Sequence, residues 1–127
     1  MLKPYNQVCP IARTLDIIGD RWTMLIVRDL FMGSTRFNQF LATSPGLPSK
    51  LLSGRLKKLE QHGLIERVVY SQHPLRAEYQ LTEKGRSLVP ILDAVSRWGL
   101  DHCFQDDPEA RAVVVERIAA IAEAHRS

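Results

Sequence analysis

Apolar residues along this chain recur mainly at helical spacing and break at prolines and glycines. Ile11, Leu15 and Ile18 form a first stripe, opened by Pro10, which suits a first helical turn, and interrupted at Gly19. Asp20 is a good N-cap for a second helix with Trp22, Leu25, Ile26 and Leu30 on its inner face, ending near Met32 and Gly33. Ser34 or Thr35 can cap a short third helix that turns Phe37, Phe40 and Leu41 inward. "ATSPG" then predicts a tight turn. In the next helix Leu52, Leu56 and Leu59 fall at i, i+4 and i+7, so this stripe faces a core. At about 100° per residue the opposite face holds Lys50, Ser53, Gly54 and Lys57, which are small, basic or hydrogen-bonding.

Gly63 closes that helix, and "LIERVVY" and "AEYQLT" predict two strands around a long, basic, proline-containing tip, "SQHPLR". Thr82 opens a helix with Leu88, Ile91, Leu92, Val95, Trp98 and Gly99 on one face, kinked modestly at Pro90. Asp107 and Pro108 start a last helix whose stripe is Ala110, Val114, Ile118, Ile121 and Ala122. No internal repeat, low-complexity tract or linker interrupts the pattern. The reading is one α+β domain over 1–127, mostly α. It has N-terminal helices over 9–32, a helix-turn-helix over 35–63, a hairpin over 64–81, and C-terminal helices over 82–127.

A short helix, a tight turn, a polar-faced helix and a hairpin, in that order, make a winged helix-turn-helix. A helix inserted in the major groove is apolar behind and offers donors in front, and small residues such as Ser53 and Gly54 let it approach base edges. The hairpin tip brings Arg76, and with it His73, toward the adjacent minor groove or phosphates. Charge agrees with this. The net charge is only +3, but residues 21–80 carry nine positive and four negative side chains, while residues 81–127 are mildly acidic.

The motifs "CPIARTLDIIGDRWTMLIVRDL", "GSTRFNQF", "GLPSKLLSGRLKKLEQHGLIER", "HPLRAEYQLTEKGRSLVPIL" and "RWG" resemble, in order, the signatures of HxlR-type transcriptional regulators, a winged-helix family related to MarR. The likeness spans about residues 8–99. It implies a homodimeric regulator whose terminal helices pair the protomers and whose helix from Ser49 reads a double-stranded DNA operator. Relatives often place a small polar residue directly after the apolar residue that opens the reading helix. Here Pro48 stands first and Ser49 second, which moves the first usable hydroxyl, so operator specificity does not transfer.

Some residues have two readings. Arg55 lies at the edge of the leucine stripe, placed either for a phosphate or for a carboxylate that braces the helix. Arg36, in the first turn of the third helix, is placed for the DNA backbone or for a capping or surface role. The last helix has an apolar stripe left over once the winged helix is filled. A dimer interface is therefore expected from Val114, Ile118 and Ile121, with Trp98 and with Ile11 and Leu15 of the first helix.

Cys9 and Cys103 give neither a zinc spacing nor a disulfide framework and suit a reducing cytoplasm. Cys9 stands at a helix start, where unpaired amides and the helix dipole favour an anionic group. It reads either as a small hydrophobe packed there or as a sensor of redox or electrophile signals, and the resemblance to families with thiol sensors at this position raises the second reading. His62, His73 and His102 lack metal-ligand spacing, and no cofactor motif is present. Trp22, Trp98 and the phenylalanines lie on core stripes, and a small-molecule or oxidant effector has no dedicated motif. A catalytic role is not expected: there is no phosphate loop, nucleophile elbow or zinc-protease motif. A winged helix that binds protein or RNA is the competing class. Its docking face would show aromatics or Met at the centre, where this one shows Lys, Ser and Gly. No apolar run approaches a membrane span and the N-terminus lacks a signal-peptide core, so a cytoplasmic protein is expected.

Overall fold

The computed structural model describes residues 8–124. The elements are α1 (Pro10–Ile18), α2 (Thr23–Phe31), α3 (Phe37–Thr43), α4 (Ser49–Gln61), β1 (Ile65–Gln72), β2 (Leu75–Leu81), α5 (Glu83–Arg86), α6 (Val89–His102) and α7 (Pro108–Ala124). They fall into two compact units, the first ending at Pro90 and the second starting at Ile91.

In the first unit the expected stripes meet. Ile26, Val27 and Leu30 of α2, Phe40 of α3, and Leu52, Leu56 and Leu59 of α4 form the core with Leu47, Leu64 and Ile65. On α1, Ile17 packs on this core, while Ile11 and Leu15 of the expected stripe are exposed. Asp20 caps the chain entering α2 from two residues before the helix boundary. Its Oδ1 accepts from the amides of Trp22 at 3.0 Å and Thr23 at 3.1 Å, and its Oδ2 accepts from the Thr23 hydroxyl.

At α3 the capping differs from expectation. The residue flanking the helix is Arg36, and neither Ser34 nor Thr35 caps it. Instead the Gln39 carbonyl reaches back to accept from the amides of Thr35 at 2.8 Å and Arg36 at 2.9 Å. The Gln39 side chain thus satisfies the two amides just before the helix, while the Gln39 amide donates to Arg36 O at 3.0 Å.

The α3–α4 turn is held from both sides. Gly46, at φ 89°, takes a conformation that a side chain would oppose. Asp29, buried in α2, accepts from Thr43 Oγ1 at 2.7 Å, Ser44 Oγ at 3.4 Å and its neighbour Arg28 Nε at 3.0 Å. A buried carboxylate is stable only with such partners, and these fix the end of α3 to α2.

Gly63, at φ 72°, ends α4 in a Schellman pattern: its amide donates to Glu60 O and the Leu64 amide to Leu59 O. Thr82 Oγ1 donates to Gly63 O at 2.6 Å and Lys84 Nζ to His62 O at 2.8 Å, so the chain after the hairpin ties down the end of α4.

β1 and β2 form one antiparallel ladder from Ile65↔Leu81 to Gln72↔Leu75. The long tip is thus corrected to a two-residue turn at His73 and Pro74, whose peptide bond is cis. Both faces of the outer hairpin meet solvent, so no apolar alternation marks Ser71 and Gln72 as strand.

The kinked helix from Thr82 is corrected as well. Thr82 caps α5 by accepting from Gly85 N at 3.1 Å, but α5 stops at Arg86 and α6 starts anew at Val89. Pro90 has no amide for the carbonyl four residues back, and it is tolerated in the first turn of a fresh helix.

In the second unit Arg111 Nε of α7 donates to Leu100 O at 3.0 Å. Ile91, Val95 and Trp98, at i, i+4 and i+7, form an exposed apolar stripe on α6, with Trp98 63% exposed. The α7 stripe is not the open surface expected: Val114, Ile118 and Ile121 are half-buried, and Val113 and Val115 are its exposed large apolar residues.

Candidate nucleic-acid interface

The outer face of α4 is built by its own period. With Leu52, Leu56 and Leu59 buried, Ser49, Lys50, Ser53, Gly54 and Lys57 all emerge exposed on one side. A Cβ at Gly54 would meet nothing within 4 Å. Its glycine is therefore not required by packing within the chain, although a mid-helix glycine costs about 0.5–1 kcal/mol relative to alanine. No carboxylate stands in the first turn of α4, so the positive end of its dipole is open. No ion pair among the described residues engages Lys50, Lys57 or Arg76.

The inner edge of the same helix is occupied. Arg55 Nε donates to Asp20 Oδ1 at 3.0 Å, and Lys58 Nζ donates to Asp16 O at 2.7 Å. The helix that carries the polar face is thus fastened to the end of α1 and the start of α2. Burial pushes the Asp20 carboxyl up, but hydrogen bonds from Thr23, the Trp22 amide and Arg55, with the Arg55 charge, outweigh it and hold the group down at about 2. Of the two readings for Arg55, this geometry favours the brace.

Arg36 also has a partner. Its Nε lies 3.3 Å from Glu78 Oε1 on β2, and its guanidinium sits 5.2 Å from the centre of the Tyr70 ring on β1. Sequence reasoning missed both partners, because contacts made so far along the chain, 42 residues away for Glu78, leave no local periodicity. It also missed Asp29, for which the signal was present: a carboxylate inside the apolar run "MLIVRDLF" needs buried partners. His73 and Arg76 are exposed at the hairpin tip, with Arg76 opposite Ser71.

Cys9 flanks α1 and is exposed, which corrects the reading of it as a packed hydrophobe within this chain; Cys103, after α6, is exposed too. Among the described residues no group of three or more His, Cys, Asp or Glu could hold a metal ion, and no helix is long and apolar enough to cross a membrane.

A three-helix core, a capped turn, a polar-faced second helix and a hairpin that docks at its end define a winged helix-turn-helix protein. The chain belongs to the HxlR-like helix-turn-helix family, whose model matches residues 17–107. It is a transcriptional regulator of the HxlR/MarR-like type with a DNA-binding helix-turn-helix. It is 39% identical over 111 residues to the HTH-type transcriptional regulator sll1512 of Synechocystis sp. PCC 6803, covering 87% of this chain and 82% of that one. It is 42% identical to the HTH-type transcriptional regulator YvaP of Bacillus subtilis strain 168, covering 80% of this chain and 97% of that one. The fold matches the redox regulator HypR in its oxidised form with a TM-score of 0.69 at 38% identity, over 74% of this chain and 97% of that one. The family and these relatives are regulators, not enzymes.

Proposed function

We propose that this chain is a homodimeric repressor that acts in the cytoplasm on a pseudo-palindromic duplex operator. Ser49, Lys50, Ser53, Gly54 and Lys57 of α4 enter the major groove. His73 and Arg76 of the wing lie over the adjacent minor groove or phosphates. The observation that carries this reading is the α4 face: exposed, cationic at two lysines that no ion pair engages among the described residues, and open in front of a glycine that packing does not require. Arg55 serves that face from behind, as a brace to Asp20.

Dimerisation is proposed through apolar side chains that the single chain leaves exposed, Ile11 and Leu15 on α1 and Trp98 on α6, with the α7 residues Val114, Ile118 and Ile121 contributing. Two-fold symmetry then requires half-sites about one helical turn, roughly 34–36 Å, or a multiple of it apart. Repression is the mode of action proposed for it. Cys9 is the proposed sensor: it is exposed at the start of α1, and the similar protein HypR is a redox regulator. Loss of DNA binding on diamide or quinone treatment, cured by Cys9→Ser and not by Cys103→Ser, is the expected result.

The test of the whole reading is a gel-shift series with genomic duplex fragments, with and without competitor RNA. A discrete complex that survives excess RNA is expected. A complex that RNA removes, or none at any fragment, contradicts the reading and favours an RNA- or protein-binding winged helix.

A further inference from the structure

We propose that Arg36 is a positioning residue that clamps the wing to the start of α3, rather than a phosphate ligand. Residues 35 and 36 run beside β2, since the Tyr79 amide donates to Thr35 O at 2.8 Å. The backbone of Arg36 is itself fixed, because its amide and that of Thr35 both donate to Gln39 Oε1. From this anchored point one side chain reaches both strands: Nε to Glu78 of β2 at 3.3 Å, and the guanidinium plane to the ring of Tyr70 of β1 at 5.2 Å. The ladder is irregular at that place. Val69 pairs with Ala77 and Ser71 with Arg76, which leaves Tyr70 as the extra residue of a bulge. A bulge re-aims the side chain it carries, and here the re-aimed ring lies under the guanidinium.

The clamp matters because the wing is long and held at its base. Beyond Ile65 and Leu81 the hairpin extends seven residues along β1, roughly 20 Å at strand rise, so a tilt of about 5° at the base moves the tip by about 2 Å. That displacement is enough to take Arg76 and His73 off a phosphate or a groove. An Arg36 already committed to a carboxylate and a ring is poorly placed to serve a phosphate as well.

This inference rests on the DNA-binding reading for its consequence, but the clamp itself is measurable without DNA. Arg36→Ala, Glu78→Met and Tyr70→Leu are made singly and together with Arg76→Ala. Duplex affinity is measured over a salt series, and exchange of the Tyr79 amide is followed in the free protein. Arg36→Ala, which removes both contacts, is expected to weaken binding about 3- to 10-fold, and Glu78→Met and Tyr70→Leu, which remove one contact each, about 2- to 5-fold, the ranges set by an exposed ion pair and a cation–π contact. Each lowers the salt slope as Arg76→Ala does, adds little on top of Arg76→Ala, and speeds Tyr79 exchange. If Arg36 is a phosphate ligand, Glu78→Met releases it and leaves binding unchanged or tighter, while Arg36→Ala and Arg76→Ala lower the salt slope additively. That result overturns the clamp. Tyr79 exchange unchanged in all three variants overturns it too, whether or not duplex is bound. A wild type that binds no duplex but shows faster Tyr79 exchange in the variants refutes the DNA reading and leaves the clamp standing.

Discussion

Asp20 does three jobs with one carboxylate: it caps the chain entering α2, holds the Thr23 hydroxyl and anchors Arg55 of α4. Its folded-state value of about 2 lies below the ordinary 3.8, so the folded state holds the charged form more tightly than the unfolded chain does. Stability from this group is therefore complete above the unfolded value and is lost as pH falls through about 2. Discounted for the solvent screening of a half-buried group, the shift corresponds to about 1–2 kcal/mol at neutral pH. Asp20→Asn is expected to lower the unfolding free energy at pH 7 by about 1–2 kcal/mol in urea titrations, with the gap to wild type closing below pH 4. A gap that is constant down to pH 2 would show that charge is not what Asp20 contributes. The capping role of Asp20 was legible in "GDRWT", because a cap acts over a few residues. Its grip on Arg55 was readable only as one of two options, and Asp29 and Glu78 were not matched to partners, since those contacts are set by packing far along the chain.

At the scale of the element, α4 combines a face optimised for burial with a face that is not optimised for the helix. The leucine stripe was fully legible, and Leu52, Leu56 and Leu59 are buried as the period requires. The opposite face keeps Gly54 where alanine would fit without a clash. Gly54→Ala is expected to raise stability by about 0.5–1 kcal/mol. It is also expected to weaken operator binding, because a methyl group then stands between the helix and the base edges. Thermal melts and duplex titrations on the same variant check both signs, and a stabilised protein with unchanged affinity would mean that nothing approaches Gly54. Legibility failed at two elements for physical reasons. The outer wing lacks an inside to alternate against, and Pro90 acts as a start rather than a kink because the chain has already closed α5 before it.

In the whole molecule, DNA binding is proposed to depend on pairing of two chains. Ile11 is 70% exposed on α1 and Trp98 63% exposed on α6, apolar surface that a second copy is expected to cover. Trp98→Glu is expected to shift sedimentation at micromolar concentration toward monomer and to weaken operator binding more than tenfold, since two linked half-sites become two separate events. A dimer that persists would exclude that face from the interface. The leftover α7 stripe that suggested a dimer from sequence is half-buried, so the stronger indication comes from the exposed apolar residues of α6 and α1. The proposed division of labour gives α4 the reading of sequence and the wing the supply of charge. Titration of specific and random duplex over a salt series with wild type, Lys50→Ala, Ser53→Ala and Arg76→Ala separates the two. Lys50→Ala and Ser53→Ala are expected to narrow the gap between specific and random DNA, while Arg76→Ala weakens both alike and lowers the salt slope by about one. An equal loss on specific and random duplex for all three variants would contradict that division.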